Sequence, residues 1–324
     1  MLNRWLPRIV GVLLMASALA LALSRAPDRS VQSLVARWAV PPSEFIDLDG
    51  QLVHLRDVGP RGDGLPLVLL HGTSASLHTW EGWSRALQGQ HRVISVDLPG
   101  FGLTGPWSGR YASWSYRGDD LARFVLEVLD HLHVKRFAIA GNSLGGEVAW
   151  RVASLAPERV QRLVLVDAAG YELNPESVPI GFRIARLPGI NRLMEWLLPR
   201  GVVEASVRDV YGDPSKVTPQ LVDRYFELTL REGNRAALVR RFQAQALDQQ
   251  AVDANVARIR ALQMPTLLIW GGHDRLIPPA NAQRFHADIA GSRLVMFDAL
   301  GHVPQEEDPA ATAAALLAFW SEVP

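Results

Sequence analysis

The chain has no cysteine among its 324 residues. That excludes disulfide bonds, a thiolate nucleophile and any cysteine-ligated metal, and it leaves the redox compartment open. It has no net charge either: Lys+Arg and Asp+Glu both count 33. Without a basic excess there is no long-range field to gather a polyanion, so nothing points to nucleic acid as a partner. No His/Asp/Glu spacing resembles a metal site. Gly100-Phe-Gly-Leu-Thr-Gly105 does fit G-x-G-x-x-G after a strand, but a dinucleotide site needs a helix to open at that point. Pro106-Trp-Ser-Gly-Arg110 follows instead, which is loop, and Asp119, near the distance of a ribose-binding acid, sits at a helix start rather than a strand end. The stretch reads as a turn bracing a sheet, and no cofactor is expected.

What is abundant is apolar surface. Hydrophobic residues make up 48% of the chain, enough for one large domain or one domain with an insertion. The amino terminus differs from the rest. Arg4 and Arg8 precede an uncharged apolar run over 9–23, and Arg25 and Arg29 follow it. The pattern predicts a signal-anchor or single-pass transmembrane segment over 1–30, with the catalytic part on the outer, extracytoplasmic side. Secretion after signal cleavage is the alternative, with weak small-x-small sites at 18–20 and 20–22. Residues 31–43 read as a linker or an amphipathic approach segment.

Beyond it, strand and helix alternate. Asp49-Gly50 between two alternating runs is a hairpin signal. Continuous apolar strands are expected at 66–70, 91–96, 136–140, 160–166, 265–270 and 292–297, with helices at 77–87, 115–131, 147–156 and 309–323. On the 115–131 helix, Leu121, Phe124, Val125, Val128 and Leu129 recur at helical spacing. Continuous apolar strands between helices imply a mostly parallel sheet covered on both faces. The alternation stops between 171 and 258. There the pattern is helical, with runs at 182–187 and 190–198, and reads as a helical lid inserted between two core segments, 44–170 and 259–324.

The chemistry gathers at Gly141-Asn-Ser-Leu-Gly-Gly146. An apolar strand, a tight glycine turn and a helix make G-x-S-x-G a nucleophile elbow, with Ser143 strained and its hydroxyl exposed. The helix that follows aims its free N–H groups at negative charge forming on a substrate. A serine hydroxyl needs a base, and the base needs a carboxylate to orient it. In the chain order Ser, acid, His, the candidates are Asp274, just beyond a strand end, and His302, after the last strand. Asp167 is a rival acid and His273 a rival base. For the oxyanion hole, one donor is the Leu144 N–H and the other comes from His71-Gly-Thr-Ser74, with Thr73 preferred and Ser74 its rival. His71 reads as a turn-holding residue.

His71-Gly-Thr, Asp97-Leu-Pro-Gly-Phe-Gly, Gly141-Asn-Ser-Leu-Gly-Gly, Gly272-His-Asp and Gly301-His302 together resemble the α/β-hydrolase superfamily, in its lid-bearing esterase, monoacylglycerol lipase and meta-cleavage C–C hydrolase branches. The resemblance spans residues 45–322. It implies an eight-stranded sheet with a lid after the sixth strand, Ser143 as nucleophile, Asp274 as acid, His302 as base and no cofactor. The dehalogenases and epoxide hydrolases of this superfamily use an aspartate where this chain has Ser143. Its C–C hydrolases often carry Trp after the catalytic His, where this chain has Val303, although they often share the Gly-Asn-Ser start. An ester hydrolase for moderately hydrophobic acyl substrates is the expectation, with a C–C hydrolase and a non-catalytic receptor on the same fold as alternatives.

Overall fold

The computed structural model describes residues 5–322 apart from 63, 173–174, 188, 190–195 and 245–248. Most of the expected helical run at 190–198 therefore lies outside the described residues. The sheet has eight strands: β1 (Ser43–Leu48), β2 (Gln51–Val58), β3 (Leu67–Leu70), β4 (Val93–Val96), β5 (Phe137–Asn142), β6 (Val160–Val166), β7 (Thr266–Gly271) and β8 (Arg293–Phe297). Their spatial order is β1-β2-β4-β3-β5-β6-β7-β8. The Asp49-Gly50 hairpin joins β1 to β2, which pairs antiparallel with β4, and every later pairing is parallel.

The parallel strands are apolar on both sides because both sides are covered. Val68, Leu70, Ile139, Leu165 and Leu268 point into one core, with α4 (Gly118–His131), α5 (Leu144–Leu155) and α11 (Ala280–Asp288) packed over it. Their neighbours Leu67, Leu69, Ala140, Val164 and Ile269 point the other way, against α3 (Glu81–Leu87) and α12 (Pro309–Glu322). The periodic apolar face of α4 is buried in full, and Asp119 and Asp120 sit in its first turn, where the helix dipole favours them.

Between β6 and β7 the chain leaves the sheet for a helical insert: α6 (Ile180–Arg186), α7 (Arg200–Val210), α8 (Pro219–Thr229), α9 (Asn234–Ala244) and α10 (Gln249–Arg260). The amino-terminal segment docks on this insert. Ser24 and Ala26 exchange backbone hydrogen bonds with Leu198 and Trp196, and Arg29 does so with Leu230 and Glu232. The next helix, α2 (Val31–Trp38), buries Leu34, and Arg37 and Trp38 reach the carboxylates of Asp223 and Glu227 on α8.

The amino terminus corrects one expectation. Residues Leu6–Ser24 form a helix, α1, with Ile9, Val12, Leu14 and Met15 exposed. Yet among the described residues no helix is long and apolar enough to cross a membrane. The uncharged run that follows Pro7 and Arg8 falls short of the roughly 20 residues a span requires. The membrane anchor, and with it the localisation drawn from it, is withdrawn.

The glycine-rich stretch at 100–105 folds around a carboxylate. Asp97, fully buried at the end of β4, accepts the Leu77 N–H on one oxygen, and the Leu103 N–H and His54 Nδ1–H on the other, each at 2.7 Å. Burial alone pushes a carboxyl up, but the charge and hydrogen bond of His54, with His71 and His78 beyond it, hold Asp97 well below the usual range. Gly102 sits at φ +51, and a Cβ there would lie 2.0 Å from Asp97 Oδ2. The loop closes this tightly only because that position has no side chain. Gly102→Ala is expected to destabilise the fold by about 1–3 kcal/mol through overpacking, measured by urea denaturation.

Candidate active site

Ser143 lies between the last residue of β5 and the first of α5, at φ 56 and ψ −116. This is a left-handed conformation that an L-residue adopts only when its surroundings impose it. The surroundings are two bare backbones: a Cβ on Gly141 would fall 2.0 Å from the Gly145 carbonyl, and one on Gly145 would fall 2.1 Å from the Leu70 carbonyl. Strand and helix therefore approach to the limit, and the turn sets Ser143 just past the carboxyl end of the central strand β5, where it is 9% exposed rather than open to solvent as the sequence suggested. Its N–H is spent on the Val166 carbonyl, and its own carbonyl accepts the N–H groups of Glu147 and Ala169. Its hydroxyl makes no hydrogen bond among the described residues.

Asp274 follows β7 and is 2% exposed. Its Oδ1 accepts the N–H groups of Leu276 at 2.8 Å and Ile277 at 2.9 Å, and its Oδ2 takes His302 Nδ1 at 2.7 Å. With Nδ1–H donating to a carboxylate, the Nε2 lone pair of His302 is left for another group. Ser143 and His302 line the same cavity, together with Thr73, Ser74 and Asn142. The structure thus brings Asp274 onto the His302 ring and has that ring and Ser143 line one cavity. The N–H groups of Thr73 and Leu144 donate to nothing among the described residues. Ser74, the rival donor, lines the cavity at a φ of 58.

The remaining candidates fall elsewhere. His71 is fully buried, with Nδ1 against the Gly72 carbonyl at 2.7 Å and Nε2 accepting the Leu98 N–H at 2.9 Å, so both ring nitrogens are spent holding the turn. Burial lowers its affinity for a proton, against the pull of Asp97. His273 is exposed. Asp167 is wholly buried and stands beside Asp274: Asp167, Asp274 and His302 each present one ligand atom within 4.8 Å of the others. Spacing along the chain gave no sign of this cluster of three metal-capable groups, because their loops are far apart in sequence.

Sequence reasoning also missed the side chains that lash the site together. Asn142 Nδ2 donates to the carbonyl of His302 at 2.9 Å, tying the serine turn to the histidine loop. Glu307, buried one turn beyond His302, accepts the N–H of Gly301 at 2.9 Å, of Gly212 at 3.0 Å and of Asp213 at 2.8 Å. The first belongs to the histidine loop and the other two to the helical insert. Beside it the His302 N–H donates to the Val210 carbonyl at 2.8 Å. Only the carboxylate type at 307 hinted at such a role.

Above Ser143 the cavity is walled by the insert: Phe182 on α6, Val202, Val203, Ser206, Val207 and Val210 on α7, Tyr225 and Thr229 on α8, and Leu238 on α9. Tyr225 gives its hydroxyl to Glu306 at 2.7 Å. Among the described residues no Lys, Arg, Asp or Glu lines this space.

A mostly parallel sheet with a serine turn after a central strand, and a histidine–aspartate pair on the loops beyond β7 and β8, defines a hydrolase of the α/β class. The family described as alpha/beta hydrolase fold matches residues 66–309, and the chain belongs to it. It is 32% identical over 282 residues to the dihydrolipoyllysine-residue acetyltransferase component of the acetoin cleaving system of Pseudomonas putida, covering 86% of this chain and 69% of that one. It is 31% identical over 268 residues to the 2-hydroxymuconate semialdehyde hydrolase of Pseudomonas sp. strain CF600, covering 81% and 88%. Among solved structures it resembles a membrane phospholipase A described as a bacterial virulence factor, with 25% identity, a TM-score of 0.66 and coverage of 99% and 97%.

Glu307→Ala removes the acceptor of one buried N–H group, Gly301, and two part-buried ones, Gly212 and Asp213. It is expected to cost about 1.5–3 kcal/mol in denaturant unfolding, the worth of a buried hydrogen bond to a charged group, since water can satisfy the more open donors.

Proposed function

We propose that the protein hydrolyses carboxylic esters of uncharged, moderately apolar acyl groups through an acyl-enzyme. The observation that carries this reading is the shared cavity: among the described residues, a strained serine with a free hydroxyl and a carboxylate-oriented histidine line a space that no charged side chain walls. Ser143 attacks the ester carbonyl and His302 Nε2 takes its proton, while Asp274 holds the Nδ1–H tautomer and stabilises the imidazolium. The tetrahedral oxyanion is bound by the N–H groups of Thr73 and Leu144, the latter at the amino end of α5, where the dipole favours negative charge. His302 then returns its proton to the leaving alcohol, and water repeats the sequence on the acyl-enzyme. The insert serves as a lid whose apolar residues receive the acyl chain.

C–C bond hydrolysis is the second reading, supported by likeness to relatives such as the 2-hydroxy-6-oxo-2,4-heptadienoate hydrolase of Pseudomonas putida, 30% identical over 262 residues. A dienoate carries a carboxylate, and a buried carboxylate needs a cation or several donors. Among the described residues the cavity walls carry no charge, which favours a neutral acyl chain instead.

Ser143→Ala is expected to lower kcat for p-nitrophenyl esters by about 10,000-fold or more, to abolish labelling by a fluorophosphonate, and to leave the circular dichroism unchanged. Retained turnover or labelling refutes Ser143 as nucleophile. With the wild type, a kcat/KM for a dienoate diketone above that for butyrate and octanoate esters decides for the second reading.

A further inference from the structure

Asp167 is a buried acid that the acyl-enzyme chemistry leaves without work. It ends β6 in a left-handed conformation, φ 44, and is fully enclosed. Its Oδ1 accepts the Gly271 N–H at 3.0 Å, anchoring the start of the Asp274 loop. Its Oδ2 is buried and has no N–H or O–H donor among the described residues. Beside it lies Asp274, whose own lone pairs already take two backbone N–H groups and His302 Nδ1–H. The titratable groups that face Asp167 are Asp274, His302 and Glu307.

Two carboxylates packed together in a dry interior cannot both be ionised, because repulsion and lost hydration act in the same direction. A proton on one carboxyl turns the contact from repulsion into an O–H···O hydrogen bond. The proton belongs on Asp167. Asp274 holds three donors that stabilise its anion, whereas Asp167 holds one and has an oxygen with none. We propose that Asp167 is a neutral acid that donates its carboxyl proton to Asp274, making it the positioning residue behind the catalytic carboxylate. Burial and the neighbouring Asp274 charge push the Asp167 carboxyl well above the usual carboxylate range, in agreement with that assignment.

The arrangement does two things. It fixes the plane of the Asp274 carboxylate by a fourth hydrogen bond, and so fixes the ring it orients. It also keeps the charge of the carboxyl pair beneath His302 at minus one. The proposal rests on Asp274 as the orienting acid for its kinetic consequences, but its spectroscopic and stability consequences do not depend on which bond is cleaved.

The test uses the full chain and two substitutions. Asp167→Asn keeps the shape and supplies an N–H donor to Asp274, and Asp167→Leu supplies none. The wild type at neutral pH should show the infrared carbonyl band of a protonated carboxyl, lost in Asp167→Asn. Stability gives a second reading that needs no activity. The native protein retains a proton that the unfolded chain releases above about pH 4. Wild-type stability should therefore decline as pH rises above that value, relative to Asp167→Asn. In kinetics, Asp167→Leu should lower kcat about tenfold, the worth of one hydrogen bond, with KM within about twofold, and Asp167→Asn should rescue most of the loss. Absence of the band, a stability–pH profile unchanged by Asp167→Asn, or failure of Asn to rescue overturns the proposal. So does loss of activity on chelation that a divalent cation restores, since a cation rather than a proton then joins the carboxylates. If Asp167→Leu does not fold, the band and the stability profile still decide.

Discussion

The site depends on one backbone constraint: Ser143 is held at a φ that its own Cβ disfavours. A strained residue persists only where the rest of the structure overrules it, and here the overruling is done by contacts between bare backbones. Gly141 lies against the Gly145 carbonyl, and Gly145 lies against Leu70 of the neighbouring strand. The two antiparallel strands at the sheet edge and the helices on both faces hold β3, β5 and α5 in that register. The chemistry at the tip is a by-product of how closely these three elements can be brought together.

Around that turn the polar groups form a connected set rather than separate pairs. Asn142 reaches the His302 carbonyl, His302 reaches Asp274, Asp274 stands against Asp167, and Asp167 returns to the β7 end through Gly271. Three loops that begin at β5, β6 and β7 and the loop after β8 are thereby tied by side chains to one another. Interior hydrogen bonds of this kind are worth more than the same bonds in water, and leaving one unmade costs correspondingly more. A second buried carboxylate, Asp97, does the same work on the neighbouring loops, where His54, Leu77 and Leu103 converge.

Much of this was legible in the sequence because it is written locally. Apolar strands such as 137–142 and 160–166, the amphipathic spacing of α4 and the glycine turn at 141–146 each declare themselves within a few residues. Chain order and place after strands single out Asp274 and His302, and the structure sets the two side chains 2.7 Å apart. What stayed hidden depends on approach between distant segments. Nothing near Glu307 in sequence says that it will meet Gly212, and nothing near Asp167 says that it will lie against Asp274. The reading of 1–30 failed for a different reason. A local apolar run resembles a span, but Pro7 and Arg8 leave it too short.

The Glu307 carboxylate and the Val210 carbonyl have a consequence for how this enzyme can change. The helix that walls the cavity above Ser143 ends in the very residues that grip the histidine loop: Val210 takes the His302 N–H, and Gly212 and Asp213 share Glu307 with Gly301. Room in the cavity and placement of the His302 ring are therefore a single mechanical adjustment. Variants that reshape α7 to admit a bulkier ligand also shift the histidine loop, and recovery comes from compensating changes at 299–307 rather than from the cavity itself.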